Sequence, residues 1–227
     1  MASRGAAALL VCLGLLLPVA ARKDECPPVS TQPGFNLTSY ISRPWYVQQQ
    51  METTYLPAKR NFCVFANYTT RDKPNLWGYT LRIHNHAEDH QGHTRDERAL
   101  VCAYVPDELE PAKLRVGMCA LPRSRLTTGP YWVLAHDEDV GVALVSGGQP
   151  TIRAPGGCRT GSGVRGSGLW IFTRQQHRDS EAVDRARAMA VEKGFDLSVL
   201  SDVLQENCKG QSPEEKKRQP KEPSLMV

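Results

Sequence analysis

Four of the chain's six histidines fall within His84-Asn85-His86-Ala87-Glu88-Asp89-His90-Gln91-Gly92-His93. Imidazoles beside carboxylates bind zinc or copper, and they titrate near neutral pH. His84, His86, His90 and His93 are therefore the candidate metal ligands or pH-sensing groups. The competing reading is a solvated connection whose histidines never converge.

Cysteines are the second chemical feature. There are seven, and Cys12 lies in an apolar N-terminal stretch. The others are Cys26, Cys63, Cys102, Cys119, Cys158 and Cys208. None are spaced Cys-x-x-Cys, which argues against a zinc ribbon or a thioredoxin-like site. An even set behind a secretory signal reads as three disulfides, with fifteen pairings open. The signal is Arg4, the apolar run Ala6 to Leu17, and the small residues Val19-Ala20-Ala21, so residues 1–21 are expected to be removed. A retained anchor, or the first half of a bipartite organelle address, is the alternative. Asn36-Leu37-Thr38 and Asn67-Tyr68-Thr69 are acceptor sequons, so Asn36 and Asn67 are expected to carry glycans. The expected location is secreted, outside the cell.

The net charge of +4 is spread along the chain without a basic, aromatic-interleaved stripe, so nucleic acid is not an expected partner. No run approaches the roughly 18 apolar residues of a membrane span beyond the N-terminus. Residues 22–208 form one expected domain. Lys209 to Val227 is charged, contains proline and has almost nothing to bury, so it is expected to be a disordered polar tail.

Eight short β-like runs must position these groups: Trp45 to Met51, Phe62 to Thr70, Leu76 to Ile83, Glu97 to Val105, Ala112 to Cys119, Tyr131 to Ala135, Gly141 to Val145 and Leu169 to Thr173. Their spacing predicts an antiparallel up-and-down β-barrel. One helix is predicted from Ser180 to Lys193, capped by Asp179 or Ser180 and ended by Gly194. Its stripe of Ala182, Ala186, Met189 and Ala190 faces the barrel, and Glu181 pairs with Arg185 on the opposite side. Gly147 to Gly168, rich in glycine and basic residues, is expected to be irregular.

Three segments in order carry a family resemblance. Tyr40-Ile41-Ser42-Arg43-Pro44-Trp45-Tyr46 resembles the opening motif of the lipocalins. Tyr131-Trp132-Val133-Leu134-Ala135-His136-Asp137 with Ala143-Leu144-Val145-Ser146 resembles the second, and Leu169-Trp170-Ile171-Phe172-Thr173-Arg174 the third. Within the family, the apolipoprotein D-like and bacterial outer-membrane branches are most similar. The usual glycine of the first motif is Arg43 here, and the segment after the sixth strand reads His136-Asp137-Glu138. The resemblance implies an all-β, eight-stranded antiparallel calyx with one C-terminal α-helix packed outside. It also implies a Cys26–Cys158 disulfide.

Alternation along the second strand places Cys63, Phe65 and glycan-bearing Asn67 outside, where Cys63 can meet Cys208 beyond the helix. Val64, Ala66 and Tyr68 then face inward. Cys102 and Cys119 remain, and bridge if they lie opposite each other. Trp170, Phe172 and Arg174 share a face, which brings Arg174 onto Trp45 at the closed end, beside Asp137. The expected cavity lining is Val47, Gln49, Val64, Ala66, Tyr68, Leu114, Val116, Met118, Trp170 and Phe172. Such a wall suits a fatty acid, sterol, retinoid or carotenoid-like ligand, bound and carried without a cofactor.

Two other classes compete with a carrier. A lipocalin-fold enzyme would need a free thiol in the barrel, as in the prostaglandin D synthase type, or interior acids, as in carotenoid de-epoxidases. Neither is among the expected lining residues. A protein-interaction module would use the loop around Arg153, Arg159 and Arg165, or the tail; the sequence names no such partner.

Overall fold

The computed structural model describes residues 25–94 and 101–210. The expected signal and all of the expected tail beyond Gly210 lie outside this range. The strands are β1 (Trp45–Met51), β2 (Phe62–Thr70), β3 (Leu81–Glu88), β4 (Val101–Tyr104), β5 (Lys113–Met118), β6 (Thr128–Asp137), β7 (Val142–Ser146), β8 (Ile152–Ala154), β9 (Gly157–Arg159), β10 (Leu169–Thr173) and β11 (Leu200–Asp202). β1 to β7 and β10 pair in sequence order, all antiparallel, and β10 pairs back onto β1 to close an eight-stranded barrel. Closure pairs β1 and β10 with each other, so neither end of the eight-strand order is left as an open edge. β11 adds to β1 where β1 diverges from β2: Trp45 and Tyr46 pair with β2, whereas Gln49 to Met51 pair with β11.

Several boundaries differ from expectation, each for a local reason. β3 starts at Leu81 rather than Leu76 because Asn75 builds a turn. Its Oδ1 accepts the N–H groups of Trp77 and Tyr79, and its carbonyl accepts that of Gly78, whose φ is 81°. The strand then runs on to Glu88, so His84 and His86 sit within it. Residues 95–100, which include the expected start of the fourth strand, lie outside the described range; β4 is described from Val101. β6 extends beyond its expected ends in both directions. The Gly147 to Gly168 connection contains a small hairpin, β8–β9.

Two α-helices are formed among the described residues. In α1 (Leu37–Tyr40), Asn36 caps the start by accepting from Ser39 N. In α2 (Ser180–Glu192), Asp179 Oδ1 accepts from Glu181 and Ala182, and Gly194, at φ 78°, follows the last turn. Ala182, Val183, Ala186 and Ala190 are the buried positions of α2. These small side chains let the helix lie close to Leu144 and Ile171 on the outer faces of β7 and β10. Glu181 and Arg185 make the expected pair at 2.6 Å. Among the described residues no helix is long and apolar enough to cross a membrane.

The second apolar cluster is the barrel interior. Tyr40, Trp45, Leu81, Ala103, Leu114, Val133 and Ala143 fill its closed half. The open half is left hollow.

Candidate functional site

The hollow is a cavity of about 490 Å³. That is within the roughly 300–1,000 Å³ of pockets that enclose small organic molecules. Val47, Val64, Ala66, Tyr68, Val116, Met118, Trp170 and Phe172 lie on its wall, as the sequence suggests, with Met118 half exposed at the rim. Ile83, Ala87 and Val101 add to the apolar wall, and Arg60 and Arg165 stand at the mouth. Two expected lining residues are elsewhere. A bulge in β1 sets Val47 opposite Phe172 but Gln49 opposite Ile171, with Gln48 as the extra residue. Gln49 therefore points outward, where it donates to Asp202 Oδ1 and accepts from Arg187, both at 2.7 Å, while Gln50 takes the inner side. Leu114 is buried in the filled closed half, below the cavity.

The floor is polar in one place. Tyr131 Oη lies 2.6 Å from Tyr40 Oη and 2.7 Å from Tyr68 Oη, a chain of three phenols linking α1, β6 and β2. Burial pushes the Tyr68 hydroxyl up to about 12 and raises Tyr40 and Tyr131 well above the usual tyrosine value. All three keep their protons at physiological pH. Tyr40 and Tyr131 are absent from the lining read from sequence, although alternation back from buried Val133 would have turned Tyr131 inward.

Beneath the phenols, the Arg174 guanidinium lies 3.6 Å from the Trp45 ring centroid. It donates to the carbonyls of Ser39, Tyr40, Arg43 and Pro44, lacing the N-terminal segment across the barrel's end. Its carboxylate partner is Glu138, at 2.8 Å, not Asp137. Asp137 instead accepts the N–H groups of Asp139 and Val140 and shapes the turn after β6. Glu138 also meets Arg43 at 2.6 Å and His136 at 3.1 Å. The two departures from the family motifs, Arg43 and the His136-Asp137-Glu138 segment, thus meet in one ion cluster.

Partial burial alone would raise the Glu138 pKa, but donors from Arg174, Arg43 and His136 bring it down from 4.5 to about 2. A folded-state pKa below the unfolded one means stability that is present above about pH 4.5 and lost as pH falls toward 2. Glu138→Gln is expected to be less stable than the parent at pH 7 and to converge with it near pH 2. Urea midpoints followed across that range measure this, and parallel curves would show that Glu138 makes no net contribution.

The histidines do not converge. His86 is buried on the outer face of β3, stacked on Phe65 at 4.8 Å and 3.0 Å from Glu88. Glu88 also accepts the N–H groups of Lys209 and Gly210, so the first two residues of the expected disordered tail are held against the barrel. His93 pairs with Asp89 at 3.1 Å, His90 stands near Phe62, and His84 is exposed. Among the described residues no three His, Cys, Asp or Glu side chains gather at a metal-sized site. The pattern was clear in sequence, but strand alternation and the tail separate its members.

Three disulfides are formed: Cys26–Cys158, Cys63–Cys208 and Cys102–Cys119. Consequently, among the described residues, no thiol faces the cavity and its lining holds no Asp or Glu. Asn36 is exposed, and Asn67 is half-buried opposite His84. In the Gly-rich connection, Arg153 is tied to the carbonyl of Glu25 and Arg159 lies on β9.

No protein-family model matches the chain. It is 23% identical to apolipoprotein D of Cavia porcellus over 209 residues, covering 88% of this chain and 96% of that protein. It is 28% identical to temperature-induced lipocalin-1 of Arabidopsis thaliana over 192 residues, covering 81% and 88%. Among solved structures, apocrustacyanin C2 superposes with a TM-score of 0.52 at 16% identity, covering 83% of this chain and 94% of that one. Apocrustacyanin C1 gives a TM-score of 0.51 at 16% identity, covering 87% and 99%. These structures share the fold. With a closed calyx, a helix on its flank and relatives aligned over 81–88% of its length, the chain has the lipocalin fold and resembles apolipoprotein D.

Proposed function

We propose that this protein is a secreted, non-enzymatic carrier that holds one small hydrophobic molecule inside its barrel. The observation that carries the reading is the cavity of about 490 Å³ in the open half, walled by aliphatic and aromatic side chains. Burying a hydrocarbon there releases apolar surface from water at about 25 cal/mol per Å². Three disulfides and two sequons support passage through an oxidising secretory route. A fatty acid, sterol, retinoid or carotenoid-like compound fits this chemistry.

The test is to express the full chain in secretory cells, recover it from the medium, and weigh it under native conditions with a panel of such lipids. One ligand per chain is expected, with quenching of Trp170 fluorescence that disappears in Trp170→Phe. Ala66→Phe, which places a phenyl group in the cavity, is expected to weaken binding at least tenfold. An empty protein that ignores the whole panel would overturn the carrier reading.

A further inference from the structure

Exposed apolar side chains scattered singly over a surface are ordinary. Here Tyr55, Met118, Leu121, Leu126 and Val164 all face water and also line the cavity, so together they ring its mouth. Met118 is 50% exposed, and Leu126 and Val164 are each 76% exposed. They come from the end of β5 and from the connections 52–61, 119–127 and 147–168, all at the open end of the barrel. An apolar rim gathered in this way marks an interaction surface.

Charge is distributed to match. The same connections carry Lys59, Arg60, Arg123, Arg125 and Arg165, and of these Arg60 and Arg165 stand in the mouth itself. The acids among the described residues of the open-end connections are Glu52 and Asp89. The opposite end mixes both signs, with Asp107, Glu108 and Glu110 in one turn and Arg43 and Arg174 paired with Glu138. Positive charge and clustered apolar side chains therefore coincide at the open end.

The shape of the rim narrows the occupant. A protein partner needs a continuous, closely packed patch with an apolar centre. The centre of this surface is the cavity opening, which a rigid partner would span without packing. A fluid bilayer accepts separate apolar tips among its acyl chains and attracts cations to anionic headgroups. Neither sequon lies in these connections, since Asn36 caps α1 and Asn67 lies in β2.

We propose that the open end docks on an anionic phospholipid bilayer, with Leu121, Leu126 and Val164 among the acyl chains and the arginines at the headgroups. Docking requires no cargo. That a cargo then passes from bilayer to cavity without crossing water rests on the carrier reading.

Sedimentation of the full chain with vesicles tests the docking, using phosphatidylcholine alone and phosphatidylcholine mixed with phosphatidylserine, without cargo. Binding is expected to be at least tenfold stronger to the anionic vesicles and to weaken at high salt. Leu126→Asp combined with Val164→Asp is expected to reduce it at least tenfold at an unchanged urea midpoint, because both side chains are in solvent. Leu109→Asp, at a site 91% exposed in the turn between β4 and β5 at the other end, is expected to change nothing. On the unmodified protein, amides of 121–127 and 161–166 are expected to exchange more slowly on vesicles, while those of 105–112 keep their rates. Absence of binding, equal binding to both vesicles, full binding by the Leu126, Val164 variant, or protection at 105–112 instead would each overturn the proposal. A chain that ignores vesicles but forms dimers that Leu126→Asp separates would assign the rim to a second copy and overturn it equally. These outcomes leave the carrier reading standing, and an empty cavity leaves the docking standing.

Discussion

Arg174→Met is expected to destabilise the protein by about 3 kcal/mol, moving the urea midpoint down by roughly 1–2 M. The substitution keeps much of the volume and removes every polar contact. The carbonyls of Arg43 and Pro44 lose this donor at the closed end, while Tyr40 O keeps Trp45 Nε1 and Ser39 O keeps Ser42 N and Oγ. Each carbonyl left dry costs about 1–3 kcal/mol. The stack on Trp45 adds about 0.5–2 kcal/mol. Against these losses stands the relief of a buried charge, and Glu138 keeps Arg43 and His136 as partners. The net figure therefore falls well below the sum. Arg174→Lys is expected to recover less than half, because a point charge cannot fork to several carbonyls and lie flat on an indole. Amide exchange should rise at Ser39 to Trp45, where the lacing is lost. A loss below about 1 kcal/mol would mean that Trp45 and Tyr40 close the barrel by packing alone.

The same closed end shows what a single sequence reveals. The stacking of Arg174 on Trp45 followed from alternation along one strand and a familiar motif. The carboxylate did not. Asp137 and Glu138 are adjacent, and which one reaches the guanidinium depends on the turn that Asp137 itself builds. Gln49 was misplaced for a related reason: one extra residue at Gln48 reverses the inward face of the rest of β1. Hydrophobic periodicity sets the face of a regular strand but does not announce where the period is broken. The histidines illustrate the opposite limit. Their spacing was plain, yet His86 and Glu88 form a buried pair under Lys209 and Gly210, contacts spanning more than a hundred residues that local spacing cannot reveal. Tyr40, Tyr68 and Tyr131 come from three distant segments and meet only through closure of the barrel.

Removing the Cys63–Cys208 bridge is expected to cost about 3–4 kcal/mol and to loosen one seam of the barrel. The two residues are 145 apart in sequence. The chain-entropy estimate for so long a loop approaches about 5 kcal/mol, and the other bridges shorten the effective loop. The local consequence follows from what the bridge holds. Val203 N donates to Gln48 O, Leu204 N to Asn61 O, and Cys63 N to Leu204 O, so the segment after β11 fills the gap where β1 and β2 diverge. The Gln205 side chain spans the same gap, donating to the carbonyls of Val47 and Val64. Without the bridge, amides from Leu200 to Gln205 are expected to exchange faster, while those of β6 and β7 change only with global stability. Cys63 provides an internal control, because it sits at φ 52°. A left-handed backbone costs a side-chain-bearing residue about 1–2 kcal/mol, a penalty glycine escapes. The double variant Cys63→Gly with Cys208→Ala is therefore expected to be about 1 kcal/mol more stable than Cys63→Ala with Cys208→Ala. If the two doubles unfold at the same urea concentration, the bridge is what imposes that conformation, and the backbone relaxes once it is gone.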